Sequence, residues 1–263
     1  YEIVPCDWSS DVCSSDLMPL LEKNHFLPEL HLIPGDVLKN ARLMFLNYPN
    51  NPTSQVADKS FFAEVVEFAH KHKILIAHDA AYSEMTYDGY KAPSILEVPG
   101  AKEVAIEFFS LSKTYNMTGW RVGFAVGHPQ AIALLGKVKS NLDSGIFQAI
   151  QLAAITALKD GDSALEENLK IYQGRRDLLI QGMNNLGFKT ALPRATFYCW
   201  IPVPPGYTSS ELSLKFLEEM NIVVTPGNGF GPNGEGYFRI SLTVAESRLL
   251  EALTRVKKSY SRS

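Results

Sequence analysis

The chain has 263 residues, of which 46% are hydrophobic and 20% are charged, and its formal net charge is −3. These values are ordinary for a globular protein with one large or two modest domains, and the charge gives no basic surface for nucleic acid. No apolar run approaches the roughly 20 residues of a membrane-spanning helix. The three cysteines are few and odd in number. This favours a reducing cytoplasm over a disulfide framework.

Residues 1–17 do not share the pattern of the rest. The stretch from Asp7 to Leu17 is rich in Ser and Asp and has neither helical nor strand periodicity. We expect a tail foreign to the protein's family, an artefact joined to a protein that begins near Met18. Cys6 and Cys13 lie in this tail without partners at zinc spacing, so we expect no metal site.

After the tail, apolar runs alternate with helical patterns, which predicts an α/β fold. The first part predicts helices over 59–72 and much of 129–176, and strands over 42–46, 74–77, 104–109 and 122–126. The last third predicts helices over 209–220 and 245–260, and strands over 197–203 and 237–242. We therefore expect a large domain over 18–170 and a smaller α+β domain over 171–263.

Polar residues of unusual kinds follow three of the predicted strands. In open α/β sheets ligands bind outside the carboxyl ends of the strands. The residues there offer an amide, a carboxylate, a phenol, hydroxyls, an amine and a guanidinium, on Asn51, Asp79, Tyr82, Ser110, Ser112, Lys113 and Arg121. This set suits pyridoxal phosphate, whose aldehyde needs a lysine, whose ring nitrogen needs a carboxylate and whose phosphate needs hydroxyls and an arginine.

The order and spacing of these residues resemble the class I and II aminotransferases, which are pyridoxal-phosphate enzymes of fold type I. Four features carry the resemblance: Asn-Pro-Thr, Asp-x-x-Tyr, Ser-x-Ser-Lys and an arginine eight residues after Lys113. The resemblance extends from Met18 to the C-terminus. It implies a mostly parallel sheet in the large domain, a smaller C-terminal α+β domain, and a homodimer in the full-length form.

The resemblance also implies a role for each site residue. Lys113 would form the Schiff base with the cofactor, and Asp79 would hold the protonated pyridine nitrogen. Tyr82 and Asn51 would donate to the ring oxygen. The cofactor phosphate would be bound by Ser110, Arg121 and, less strongly, Ser112. Arg239 would hold the α-carboxylate of the substrate.

The implied reaction moves an amino group between an amino acid and a 2-oxo acid such as 2-oxoglutarate. A closer resemblance, to LL-diaminopimelate aminotransferases of lysine biosynthesis, is carried by Met18-Pro19-Leu20, Asn24 to Pro28, Asn-Tyr-Pro-Asn-Asn-Pro-Thr and Asp143 to Phe147. One departure is Ser54, which stands where the family usually has glycine. The substitution costs backbone freedom in the turn but removes no ligand.

Other classes of protein share some of these sequence features. Ser110 to Lys113 also satisfies Ser-x-x-Lys of penicillin-binding enzymes, but Ser-Asp-Asn and Lys-Thr-Gly are absent. A transcription regulator with a cofactor-sensing domain is disfavoured because the chain is not basic and carries no DNA-binding domain. A lyase or decarboxylase on the same fold stays open, as does an inactive cofactor-binding fragment. Because family members carry a further N-terminal region with part of the cofactor pocket, we expect the chain alone to be poorly active.

Overall fold

The computed structural model describes residues 16–260, the side chain of Tyr260 excepted. The predictions for Cys6, Cys13 and the rest of 1–15 therefore lie outside the described residues. The helices and longer strands are α1 (Gly35–Asn40), β1 (Leu43–Asn47), α2 (Lys59–His72), β2 (Leu75–Asp79), β3 (Ala105–Ser110), α3 (Leu111–Thr114), β4 (Gly123–Gly127), α4 (Pro129–Leu142), α5 (Gln148–Asp160), α6 (Asp162–Asn185), β5 (Tyr198–Pro202), α7 (Ser209–Met220), β6 (Thr225–Pro226), β7 (Tyr237–Ser241) and α8 (Glu246–Tyr260).

The first sheet has the strand order β1-β2-β3-β4. The first three strands run parallel, and β4 joins β3 in the antiparallel direction. Helix α2 connects β1 to β2 and begins where the Asp58 side chain accepts a hydrogen bond from the Phe61 N–H. Its apolar residues recur at helical spacing, and that face is buried against the sheet. The predicted α/β class and the predicted limits of this helix are confirmed.

The second sheet has the strand order β5-β7-β6 and is antiparallel throughout. Because side chains alternate along a strand, one face buries Cys199, Ile201 and Phe238 against α6, α7 and α8. Full burial of one large apolar side chain contributes about 1.5–3 kcal/mol. The opposite face carries Tyr198, Trp200 and Arg239, with Trp200 and Arg239 directly opposite each other. That opposite face is the one turned to the site described below.

The two sheets are tied together through α6 and the chain that follows β2. Arg176 of α6 is 1% exposed and pairs with Asp88 at 2.7 Å. Its guanidinium also donates to the Pro193 carbonyl at 2.9 Å and lies 4.7 Å from the Tyr87 ring centre. Residue 170, the expected end of the large domain, lies inside this helix. The boundary expected after residue 170 therefore falls within one continuous helix. Through Arg176, this helix contacts both the chain that follows β2 and the chain that precedes β5.

Many large apolar side chains are exposed on and beside the first sheet. Phe45 of the edge strand β1 is 71% exposed, and Phe124 and Val126 of the opposite edge strand β4 are also exposed. The helices α4 and α5 expose Leu134, Leu135, Val138, Leu142, Leu152, Ile155 and Leu158. Surfaces of this kind are characteristic of interaction sites. No helix within residues 16–260 is both long and apolar enough to cross a membrane.

Candidate active site

The predicted site residues gather at the carboxyl edge of the first sheet. β1 ends at Asn47, β2 at Asp79 and β3 at Ser110. Asn47 and Asp79 are partners in the parallel register. Lys113 lies in the short helix that directly follows β3. Since parallel strands end at the same edge, the tertiary structure brings the carboxylate, the amine and the Asn51 turn to one side of the sheet.

Asn47 links two of the predicted site residues. Its Nδ2 donates to the Asp79 carbonyl at 2.9 Å, and its Oδ1 accepts from the Asn51 N–H at 2.8 Å. The Asp79 carboxylate is exposed and accepts from the Ala81 N–H at 3.1 Å. The Asn-Tyr-Pro-Asn-Asn-Pro-Thr motif begins with Asn47 but does not indicate a role for it. The signal that could have identified it is its place at a strand end, level with Asp79.

Ser110 begins the helix that carries Lys113. Its Oγ accepts from the Ser112 N–H at 3.2 Å, as a helix cap does. Ser110 and Lys113 are half-buried, whereas Ser112 is buried, and the Ser112 carbonyl accepts from the Thr118 hydroxyl at 3.1 Å. Ser110 is therefore the more accessible of the two hydroxyls.

Arg121 lies at the turn into β4. It adopts a left-handed backbone with φ of 55°, its side chain is exposed, and its Nη1 donates to the Thr118 carbonyl at 3.0 Å. Two residues later, a Cβ on Gly123 would come within 2.4 Å of the Phe109 carbonyl oxygen. Glycine is therefore needed there for β4 to lie against the end of β3. This close approach brings the Arg121 turn next to Ser110, the register partner of Gly123.

Tyr82 presents a protonated phenol. It is buried against Phe197 and Tyr198, with ring centres 5.6 and 5.9 Å away. Burial raises the pKa of Tyr82 well above its usual value, and the neighbouring Tyr198 phenol raises it further. A phenol that keeps its proton can donate a hydrogen bond to an anionic oxygen.

Arg239 is held between two rings on the second sheet. Its guanidinium carbon lies 4.1 Å from the Tyr198 ring centre and 4.8 Å from that of Phe230. Nη1 donates to the Asn51 Oδ1 at 2.7 Å. Its Nε is buried, and no other described residue hydrogen-bonds to it. A planar guanidinium with an unpaired N–H is suited to a carboxylate, which it can bind with two hydrogen bonds. Sequence reasoning missed both rings.

His78 and Glu107 form a buried pair behind this edge. The His78 Nδ1 lies 2.9 Å from the Glu107 Oε1, and its Nε2 lies 3.1 Å from the Tyr48 carbonyl. Because a carbonyl only accepts, Nε2 carries the proton on that side. Glu107 also accepts from the Ser94 hydroxyl and from the Ile95 N–H. The pair thus fastens the turn after β1 to β2 and β3. Among residues 16–260, no group of three His, Cys, Asp or Glu side chains could hold a metal ion.

The chemistry of this donor set fits pyridoxal 5′-phosphate. The edge offers an amine on Lys113 and an exposed carboxylate on Asp79. A protonated phenol on Tyr82 suits the ring oxygen. The half-buried hydroxyl of Ser110 and the exposed guanidinium of Arg121 suit a phosphate dianion.

Known proteins share both the sequence and the fold. The LL-diaminopimelate aminotransferase of Moorella thermoacetica is 55% identical over 244 residues, which cover 93% of this chain and 63% of the relative. LL-diaminopimelate aminotransferase 2 of Trichormus variabilis is 55% identical over 240 residues, covering 91% and 62%. The solved apo-BacF structure from Bacillus subtilis superposes with a TM-score of 0.89 at 41% identity, covering 92% and 65%.

The chain thus spans less than two thirds of the length of these relatives. The family described as aminotransferase class I and II matches residues 19–256, which is most of the described chain. Membership of this family implies pyridoxal phosphate as the cofactor, in agreement with the donor set at the sheet edge. On this match and these similarities, the chain belongs to the class I and II aminotransferase family.

Proposed function

We propose that this protein is a pyridoxal-phosphate-dependent aminotransferase that moves an amino group between an amino acid and a 2-oxo acid such as 2-oxoglutarate. The observation that carries the proposal is the Asn51–Arg239 hydrogen bond at 2.7 Å. This bond joins Arg239, the candidate residue for binding the substrate carboxylate, to the sheet edge that bears Lys113 and Asp79. Relatives named LL-diaminopimelate aminotransferase, at 53–55% identity, support LL-diaminopimelate as the amino donor and lysine biosynthesis as the context.

Bound pyridoxal phosphate would supply a ring that accepts negative charge from the substrate α-carbon. In the proposal, the Asp79 carboxylate holds a proton on the ring nitrogen. The Ala81 N–H and Asn47 keep that carboxylate at the strand end. Tyr82 and Asn51 donate hydrogen bonds to the ring oxygen, and the phosphate is held by Ser110, Ser112 and Arg121.

Lys113 is the proposed base. Its Nζ would hold the cofactor covalently in the absence of substrate. With substrate bound, the same Nζ would remove the proton from the substrate α-carbon and later return it. Proton transfer by a positioned side chain typically accelerates a reaction by about 10²–10⁴-fold. Support comes from the position of Lys113, one short turn after the β3 strand end and half-buried.

Arg239 is the proposed ligand of the substrate α-carboxylate. Its Nη1 is already fixed by Asn51 and its plane by Tyr198 and Phe230. An arginine fixed in this way loses little conformational freedom when a carboxylate binds. On the same face of the second sheet, the Trp200 and Tyr237 rings stack with their centres 5.3 Å apart.

A panel of amino donors with 2-oxoglutarate, run on this chain and on a version extended with a family-like N-terminal region, tests the reaction. We expect the extended version to form glutamate with LL-diaminopimelate, the chain alone to form little, and the Lys113→Ala variant of the extended version to form none. Release of ammonia or carbon dioxide without glutamate would instead identify a lyase or decarboxylase, which Lys113 and Asp79 would serve equally well. Cofactor binding without any turnover would favour the inactive fragment.

We also propose that the enzyme acts as a homodimer in the cytoplasm, on small molecules and without nucleic acid or membrane. The apolar surface of β4, α4 and α5 supports association with another polypeptide. The free cysteine Cys199 is compatible with a reducing compartment. Light scattering of the purified protein would test the dimer.

A further inference from the structure

Ser54 has an unusual left-handed backbone conformation. It stands where the family usually has glycine, and its φ is 60°, in the left-handed region that disfavours a side chain. Ser54 is nonetheless 5% exposed, so its hydroxyl is buried. A disfavoured conformation persists when surrounding contacts hold it. The hydrogen bonds of the Ser54 hydroxyl therefore indicate the role of this residue.

The Ser54 hydroxyl takes part in a closed set of hydrogen bonds with Thr196 and Tyr198. Ser54 Oγ lies 2.6 Å from the Tyr198 carbonyl and 2.8 Å from the Thr196 Oγ1. A carbonyl only accepts, so the single Ser54 proton goes to Tyr198, and Thr196 must donate to Ser54. Thr196 Oγ1 in turn accepts from the Tyr198 N–H at 3.1 Å. The two hydroxyls therefore bind both main-chain polar groups of Tyr198.

Thr196 is itself anchored to the chain that follows β2. It is fully buried, and its N–H donates to the Met85 carbonyl at 2.7 Å. Its own carbonyl accepts from the Tyr87 hydroxyl at 2.6 Å. The hydroxyls of Ser54 and Thr196 thus connect Tyr198 to two segments beside the first sheet. One is the turn that contains Ser54, 144 positions away in sequence, and the other is the chain that follows β2.

Tyr198 transmits this connection to Arg239. The Arg239 guanidinium carbon lies 4.1 Å from the Tyr198 ring centre, a cation–π distance. The same guanidinium donates to Asn51, three positions before Ser54. The turn therefore fixes Arg239 at two points, directly through the Asn51 amide and indirectly through Ser54 and the Tyr198 ring.

We propose that Ser54 is a positioning residue for the carboxylate site: with Thr196, its hydroxyl fixes Tyr198, and the Tyr198 ring sets the position of the Arg239 guanidinium. This inference rests on the proposed role of Arg239. A glycine at position 54 would keep the turn but lose the two hydrogen bonds of the hydroxyl, so Tyr198 would be held less firmly.

The test compares Ser54→Ala and Ser54→Gly with the parent chain. Alanine removes the hydroxyl and keeps the strained backbone, whereas glycine removes both. The matched control is Ser213→Ala, which removes a buried hydroxyl that donates to the Ser209 carbonyl at 2.8 Å in α7. The readout is the rate at which phenylglyoxal modifies Arg239, measured by mass spectrometry of peptides. Arg255 of α8 serves as the internal reference.

We expect both Ser54 variants to raise the Arg239 modification rate by about fivefold or more, because they lose the two hydrogen bonds of the Ser54 hydroxyl and the loss of one alone corresponds to about this factor. Ser213→Ala and the Arg255 rate should not change. Two substitutions of Tyr198 provide a second measurement if a Ser54 variant folds poorly. Tyr198→Leu should raise the Arg239 rate, while Tyr198→Phe, which keeps the ring, should not. An unchanged Arg239 rate in the folded Ser54 variants, or in Tyr198→Leu, would overturn the inference.

Affinity for 2-oxoglutarate separates this inference from the proposed function. If Arg239→Ala leaves that affinity unchanged, Arg239 is not the carboxylate ligand, and both ideas are wrong. If Arg239→Ala weakens binding but the Ser54 variants alter neither affinity nor Arg239 reactivity, only the inference about Ser54 is wrong.

Discussion

The Asn51 carboxamide oxygen accepts a hydrogen bond from the Arg239 Nη1 at 2.7 Å, although 188 positions separate the two residues. A guanidinium only donates, so the amide oxygen must face Arg239. The Nδ2 of Asn51 is therefore the end that can donate to a ligand oxygen. Two residues predicted to bind different molecules, cofactor and substrate, thus form one unit.

Arg239→Ala should raise KM for amino acids and lower their turnover, because a charge-assisted bidentate contact is worth on the order of a few kcal/mol. Simple amines without a carboxylate should be little affected. Steady-state kinetics on both substrate classes makes the comparison. Equal losses for amines and amino acids would mean that Arg239 serves the fold and not the substrate.

Asn47→Ala should weaken cofactor binding. It removes one hydrogen bond to the Asp79 carbonyl and one from the Asn51 N–H, together worth about 1–3 kcal/mol. Equilibrium dialysis with pyridoxal phosphate measures the effect. The control is Asn40→Ala in α1, which loses an exposed hydrogen bond to the Asp36 carbonyl at 3.3 Å. If the two variants bind the cofactor equally well, Asn47 does not position the site.

Asp79→Ala should slow exchange of the substrate α-proton by about 10²-fold or more, and weaken cofactor binding much less. The carboxylate stabilises charge that develops mainly in the transition state. Exchange in deuterated water, followed by NMR, reports on this step alone. Asp79→Glu keeps the charge but moves it, so it should give an intermediate rate. Near-normal exchange in Asp79→Ala would contradict the proposed role.

Lys113→Ala should abolish covalent attachment of the cofactor. After treatment with borohydride, the parent chain should carry the reduced cofactor on Lys113, and the variant should carry none. Lys137→Ala, on an exposed helix position, should label like the parent. Labelling of another lysine in the Lys113→Ala variant would show that the assignment is wrong.

Asp88→Asn should reduce the free energy of unfolding by about 1 kcal/mol, since the carboxylate is half-exposed and Arg176 keeps other partners. The Arg176 guanidinium lowers the pKa of the Asp88 carboxyl below its ordinary value of 3.8. The folded pKa thus lies below the unfolded one. The stabilisation is present above the ordinary value and is lost as pH falls through the lowered folded value. Urea unfolding at pH 7 and pH 2.5 should show a larger difference between variant and parent at pH 7 than at pH 2.5.

The sequence by itself predicted most of the longer elements and the sheet edge at which the candidate site residues lie. Helix α2 matches its prediction at both ends. Asp58 caps its first turn, its buried apolar residues recur as far as Ala69, and the left-handed Lys73 ends it after His72. Asp79, Ser110 and Lys113 could be predicted as neighbours because each follows an apolar run, and parallel strands end at one edge. These signals are local, so a single sequence contains them.

Only the tertiary structure decided which distant residues meet. The pairs Asn51–Arg239, Ser54–Tyr198 and His78–Glu107 each join segments that are far apart in the chain. Periodicity tells which face of an element is buried but not which element covers it. The same limit applies to β4, whose apolar run fits a parallel or an antiparallel strand equally well until β3 fixes its direction. Strand pairing within the first sheet selects His78 and Glu107, and packing of the two sheets selects the other two pairs. In each case a buried polar group is stable only when another segment supplies its hydrogen bond.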